Sequence, residues 1–163
     1  MQRDINLKKG LAELEAGENE VLINLEATIY LTARLLPLLM GQEESAIVNV
    51  TSGLAFVPLA AAPVYCATKA GLRSFTQSLR HQLKDTPVKV FELIPPAVDT
   101  DLDHGARGRR GETDRGIPAT EVAAAAMAGL RKDHFEIAVG RAATLMHGSR
   151  ADPEGAFKGL NRV

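Results

Sequence analysis

From Asn19 onward the chain alternates segments of helical apolar spacing with short β-branched runs, and few folds accept that order. Between Asn19 and Met40, Leu22, Leu25, Ile29, Leu36 and Leu39 mark one side of a helix, and Leu31, Leu35 and Leu38 add a second. A helix apolar on two sides needs cover on both. The run SAIVNVTS then reads as a buried parallel strand. A loop rich in Ala and Pro leads to a second helix over 63–84, with Pro63 suited to its first turn and Leu72, Phe75, Leu79 and Leu83 on its apolar stripe. VKVFELI is the next strand, stopped by Pro95 and Pro96. A third helix begins near Pro118 and runs to Leu130, and FEIAVG is a third strand. After Arg141 a short helix and a frayed end are expected. The order α-β-α-β-α-β predicts an α/β fold, a parallel sheet flanked by helices with right-handed crossovers.

The 163 residues suit one domain, 1–163. Within it, 99–116 is polar, rich in Gly and Arg, and without period, so it reads as a flexible loop beside the substrate. The formal net charge of -1 offers nothing to nucleic acid or to an anionic membrane. No signal peptide is evident in MQRDINLKKG, and no apolar stretch reaches the roughly 20 residues of a spanning helix. The single cysteine, Cys66, excludes an intrachain disulfide and suits a reducing compartment, so a cytoplasmic protein is expected.

Three residue types converge where an open α/β sheet binds ligands, at the carboxyl ends of its strands. Ser52 ends the first strand; Tyr65 and Lys69 lie one turn apart on one face of the following helix. A free phenol with a pKa near ~10 is a poor base at neutral pH, and a neighbouring ammonium favours its phenolate. Tyr65 could then exchange a proton with an alcohol or carbonyl oxygen, while the Ser52 hydroxyl bonds that same oxygen. The carbon must exchange a hydride, which no side chain supplies, so a cofactor is implied. Taken alone, a Tyr and a Lys four apart also occur on helices that do no chemistry.

The wider pattern is more specific. IVNVTS, a serine thirteen residues before YCATKAGL, and LIPPAVDTDL after the next strand together resemble the second half of the short-chain dehydrogenases/reductases. The resemblance covers nearly the whole chain. It implies a Rossmann-type fold with about three strands kept, and an NAD(P)-dependent interconversion of a small-molecule alcohol and carbonyl. Ser52, Tyr65 and Lys69 would form the catalytic core, with Lys69 also bonding the nicotinamide ribose. NLEATIYLT supplies the family's asparagine as Asn24, which would support a proton-relay water. The run from Pro95 to Thr100 stands where the family has Pro-Gly and a threonine. Cofactor contacts are therefore implied at Pro95, Val98 and Thr100 besides Tyr65 and Lys69, with Thr100 meeting the nicotinamide carboxamide. PPAVDTDL and the LNR tail look most like the branch named for the D-alanine–lipoteichoic-acid operon.

The family's opening strand with TGxxxGxG, its ribose-reading residue and its NNAG turn have no counterpart in these residues. The expectation is a truncated form of an NAD- or NADP-dependent parent, binding the cofactor weakly or not at all by itself. The rival reading is an inactive remnant that serves as a dimerisation module. The family's helix-to-helix dimer implies a homo-oligomer through 19–40 and 63–84, and the first strand, left as a sheet edge, invites further pairing.

Asp99, Asp101, Asp103 and His104 resemble a ligand set, but a hydride-transfer site needs no metal. Arg107, Arg109, Arg110 and Arg115 could meet an anionic substrate or simply face solvent. Cys66 reads as packing, and His81, His134 and His147 as scattered surface residues.

Overall fold

The structure is a computed structural model that describes residues 1–161. Arg162, the end of the LNR run, lies outside the described residues. A short turn at Leu7–Lys9 and helix α1 (Leu11–Glu15) precede the first long helix. That helix opens where expected: the Asn19 side chain accepts from the backbone N–H groups of Val21 and Leu22, each at 3.1 Å. It runs first as a wide π-type turn, Leu22–Glu26, and then as α2 (Ala27–Met40). Next come β1 (Ser45–Val50), a tight turn at Gly53–Ala55, α3 (Pro63–Gln82) and β2 (Val88–Ile94). The chain ends with α4 (Ala106–Arg109), α5 (Ala119–Leu130), β3 (Glu136–Ala138), α6 (Arg141–Ala151) and α7 (Pro153–Leu160).

The three strands form one parallel sheet in the order β1-β2-β3. Ser45 faces Val88 and Val50 faces Leu93 across the first pair; Glu92 faces Glu136 across the second. β2 is the middle strand and is covered on both faces, which explains its nearly unbroken apolar run. Val90 packs with Leu79, Leu83 and Val88, and Leu36 and Leu39 of α2 close that layer. Phe91 and Leu93 point the other way, to Val122, Ile137 and Val139. Each such fully buried side chain contributes about 1.5–3 kcal/mol of apolar burial. This is a partial Rossmann-type arrangement, an open parallel sheet with helices on its faces.

Three expectations change. The tail is not frayed up to Asn161: it folds as α6 and α7, broken at Asp152-Pro153 because a residue before proline is pushed to an extended conformation. Asp152 caps α7 by accepting from the Gly155 N–H at 2.9 Å. Asn161 then accepts from the Ala60 N–H at 2.6 Å and donates to the Pro58 carbonyl at 3.0 Å, tying the tail to the loop that follows Ser52.

The segment 99–116, expected as a loop, holds α4 and several ion pairs. Asp103 accepts from the backbone of Gly105 and Arg107 and from the Arg107 side chain. Burial would raise its pKa, but those hydrogen bonds prevail and hold the carboxyl below its ordinary range. Arg110 pairs with Asp4 and Glu112, and Arg115 with Asp99. Both ends of the segment are joined: Val98 pairs in parallel with Ile117, the Ile117 N–H bonding the Ala97 carbonyl at 3.0 Å and the Asp99 N–H bonding the Ile117 carbonyl at 2.9 Å. Gly116 has φ +89°, and an added Cβ would lie 2.3 Å from the Ala97 oxygen, so only glycine allows the closure.

The third change concerns apolar surface. Leu22–Met40 spans 19 residues of mean hydropathy 1.3, which meets the length and composition of a spanning helix where none was expected. Tyr30, Leu31, Leu35 and Leu38 are exposed on it, whereas α3 contributes no large exposed hydrophobic side chain among the described residues. Of the two helices expected to associate, α2 therefore carries the apolar surface. β1 is an edge strand, as expected, and Val50 on it is exposed.

Candidate active site

The carboxyl end of β1 carries three residues with separate anchors. Lys69 donates to the Val50 carbonyl at 2.9 Å. Thr51 donates from Oγ1 to Glu92 Oε1 at 2.7 Å. Ser52, in an extended conformation, accepts from the Leu54 N–H at 3.1 Å and so caps the turn Gly53–Ala55. That bond uses an acceptor pair of the hydroxyl and leaves its proton to be donated.

Tyr65 lies in the first turns of α3, only 4% exposed, packed with Ala62, Cys66, Leu54 and Leu59. Burial pushes its phenol up to about 12. The neighbouring Ser52 hydroxyl works against that rise, and the Cys66 and Glu20 side chains add to it. The Lys69 ammonium lies 5.7 Å from the centre of the Tyr65 ring, and burial brings its pKa down to about 8. Chemical reasoning from the sequence expected Lys69 to depress the phenol. In the folded chain, burial decides both groups, and Ser52 rather than Lys69 is the neighbour that favours the phenolate.

Asn24 sits inside the wide turn Leu22–Glu26 and is buried. Its Nδ2 donates to Thr68 Oγ1 at 3.3 Å and to the Met1 carbonyl at 2.8 Å, while its Oδ1 accepts from the Met1 nitrogen at 3.0 Å. Thr68 in turn donates to the Tyr65 carbonyl at 2.7 Å. Asn24 thus joins the group through Thr68, the residue before Lys69.

The run after β2 divides. The Pro95 carbonyl accepts from the Gly53 N–H at 3.2 Å, directly beside Ser52. Val98 is half-buried, paired with Ile117, and its carbonyl accepts from Arg107 at 3.0 Å. Thr100 is exposed, accepts weakly from the Leu102 N–H at 3.5 Å, and makes no hydrogen bond to Ser52, Tyr65 or Lys69. Among the described residues no cluster of three His, Cys, Asp or Glu is placed to hold a metal; Asp99 and Asp103 are paired with arginines.

Sequence reasoning missed Thr68, Thr51, Arg73 and Glu92. Glu92 carried a signal, a carboxylate in the middle of an apolar strand, which needs a buried partner. Arg73 is that partner, one turn beyond Lys69, with Nη1 2.5 Å from Glu92 Oε2 and 3.0 Å from Glu136 Oε1. The anionic-substrate role for Arg107, Arg110 and Arg115 loses ground, since each is paired with a carboxylate of this chain.

The family model for short chain dehydrogenases matches residues 8–110. The uncharacterized oxidoreductase DltE of Bacillus subtilis (strain 168) is 47% identical over 161 residues, 99% of this chain and 64% of that protein. The uncharacterized oxidoreductase SSP0419 of Staphylococcus saprophyticus is 33% identical over 106 residues, 63% of this chain and 45% of that protein. The chain thus spans less than two thirds of these relatives. A short chain dehydrogenase from Burkholderia cenocepacia J2315, solved in complex with NADP, superposes with a TM-score of 0.74 at 25% identity, over 88% of this chain and 60% of that one. A short-chain dehydrogenase from Streptomyces avermitilis gives a TM-score of 0.75 over 98% of this chain and 65% of that one, and at 18% identity it bears on the fold alone.

Proposed function

Because the chain belongs to the short-chain dehydrogenase family, we propose that it carries the acid–base half of an NAD(P)-dependent oxidoreductase that interconverts an alcohol and a carbonyl. Tyr65 exchanges the proton, Ser52 orients the substrate oxygen, Lys69 holds the ribose and Asn24 supports the proton relay. The observation that carries this reading is the joint placement of Ser52, whose hydroxyl favours the Tyr65 phenolate, and of the Lys69 ammonium, 5.7 Å from the centre of the Tyr65 ring.

The nicotinamide, when bound, supplies or accepts the hydride. The residues present fit that end of the cofactor. An ammonium has three N–H donors, and the Val50 carbonyl takes one, which leaves donors for ribose hydroxyls. Pro95, Val98 and Thr100 follow β2 at the same end of the sheet. For the pyrophosphate end no TGxxxGxG occurs in these 163 residues, so cofactor binding by this chain alone is weak in this reading.

The phenol is protonated at neutral pH, which favours donation to a carbonyl oxygen as charge develops there. Ser52 gives its remaining proton as a hydrogen bond to that same oxygen. Reprotonation of Tyr65 passes by Lys69, whose pKa of about 8 lets it take and give a proton near neutrality. The lone buried Cys66 is at ease in a reducing compartment, and the cytoplasm is the proposed location.

Tyr65→Phe keeps the ring and removes the hydroxyl. In a preparation that turns over a carbonyl substrate with NADPH or NADH, it should abolish turnover and leave cofactor affinity nearly unchanged. Turnover close to the parent's would remove Tyr65 from the proton transfer. A second reading, a non-catalytic partner-binding module, is favoured by the exposed apolar face of α2. Leu36 and Leu39 of α2 pack on this chain's own sheet layer, and we assign the opposite, exposed face to a second copy of the chain.

A further inference from the structure

The geometry points to Arg73 and Glu92 as positioning residues for the Tyr65–Lys69 pair: their buried contact fixes α3 on the sheet at the height that seats Lys69 on Val50. The inference rests on the reading of Tyr65 and Lys69 as the proton-handling pair. α3 meets the sheet through a polar row at helical spacing. Lys69 bonds the Val50 carbonyl, Arg73 bonds Glu92, Thr76 Oγ1 accepts from Asn49 Nδ2 at 2.9 Å, and Arg80 Nε donates to the Val90 carbonyl at 2.7 Å. Residues 69, 73, 76 and 80 fall on one helix face.

The second of these contacts differs from the rest. Glu92 has no exposure, and a buried charge that loses its partner is strongly disfavoured. Its two oxygens are engaged on opposite sides, Oε1 by Thr51 and Oε2 by Arg73. Arg73 is fixed in turn by Glu136 of β3 and by the Phe56 ring, 4.1 Å from its guanidinium carbon. Thr51 is bonded to Ser52 in the chain, and Arg73 follows Lys69 by one turn. One ion pair therefore ties the end of β1 to the stretch of α3 that bears Lys69. A slide of one residue along the helix axis moves α3 by about 1.5 Å, enough to break the Lys69–Val50 bond, and the Arg73–Glu92 contact opposes it.

The test reads Lys69 itself and needs no turnover. NMR of the lysine ε-carbons, with the Lys69 signal assigned by its loss in Lys69→Arg, gives its pKa in the 163-residue chain. Around it stand the Tyr65 phenol and the Met1 amine, and these are common to all variants compared. Arg73→Met should let the ammonium leave its half-buried seat on Val50, moving its pKa from about 8 back toward the ordinary value of about 10.4. Thr51→Val, which cuts the Thr51–Glu92 bond and keeps the ion pair, should move it the same way by less, and decides the matter if Arg73→Met does not fold. Arg73→Lys should restore part of the low value. An unchanged Lys69 pKa in a folded Arg73→Met or Thr51→Val chain overturns the inference. Loss of the catalytic reading would show separately, as retained turnover in Tyr65→Phe.

Discussion

The Lys69 ammonium is bonded to the Val50 carbonyl, 2.9 Å away, and not to the Tyr65 phenol that it accompanies on the helix. Its charge lies 5.7 Å from the ring centre, in a place where burial disfavours that charge. Lysine and tyrosine are each held in the neutral direction, and this has measurable consequences.

Lys69 costs stability near neutral pH. Its folded pKa of about 8 lies below the ordinary value, so its contribution is most favourable above about pH 10.4 and is lost as pH falls through about 8. Lys69→Met should stabilise the fold by about 1–2 kcal/mol near neutrality, after allowance for the lost bond to Val50. The gain should vanish in thermal melts run at about pH 10.4. A destabilised variant at neutral pH would contradict the burial argument.

Tyr65 behaves in the opposite sense. Its raised pKa means that the stability from a neutral buried phenol is complete below about pH 10 and lost as pH rises through about 12. In a Tyr30→Phe background Tyr65 is the only phenol, and its ultraviolet titration should centre near about 12. Adding Ser52→Ala should raise that midpoint further, because Ser52 favours the phenolate. A midpoint that stays in place or falls would show that Ser52 does not favour the phenolate.

Gly116→Ala should open the 99–116 segment. The new methyl group meets the Ala97 carbonyl, and the backbone stays at positive φ. A loss of about 1–3 kcal/mol is expected, together with faster proteolysis within 99–116. Cleavage at the parent's rate would mean that the Val98–Ile117 pairing does not restrain the segment.

The exposed face of α2 should drive self-association. Light scattering over a dilution series is expected to show a dimer or larger species for the parent chain. Leu35→Glu with Leu38→Glu, both on that face, should shift it to monomer. A parent chain monomeric at micromolar concentration would remove the case for α2 as an interface.

Calorimetry of this chain with NADH and NADPH should give little or no heat of binding. In the proposed reading only the nicotinamide end has residues to meet it, and the glycine turn that lets backbone approach pyrophosphate does not occur in the sequence. Micromolar affinity for either cofactor would overturn that expectation.

The sheet, the long helices and the Ser52–Tyr65–Lys69 group were legible because each rests on short-range pattern: strand runs ended by proline, apolar stripes, a four-residue spacing. What could not be read depends on pairs distant in sequence. Arg73 and Thr76 look like surface positions of an amphipathic helix, and only the register of β1 against β2 puts Glu92 and Asn49 beneath them. The arginines of 99–116 gave no sign of their carboxylate partners, one of which, Asp4, lies at the other end of the chain. The sign of the shift at Tyr65 was missed for a related reason, since the depth of burial outweighs a neighbouring charge and depth is not a local property.

The pairing of Val98 with Ile117 closes the 99–116 segment on itself at its base. A loop so closed can change length at little cost, since each doubling adds only about 0.6 kcal/mol of closure entropy. Insertions or deletions between Asp99 and Gly116 would leave the strand end that bears Pro95 where it is. Descendants of such a chain are free to rewrite this segment while the sheet stays fixed, so divergence in sequence and length should be found here before it is found in the strands.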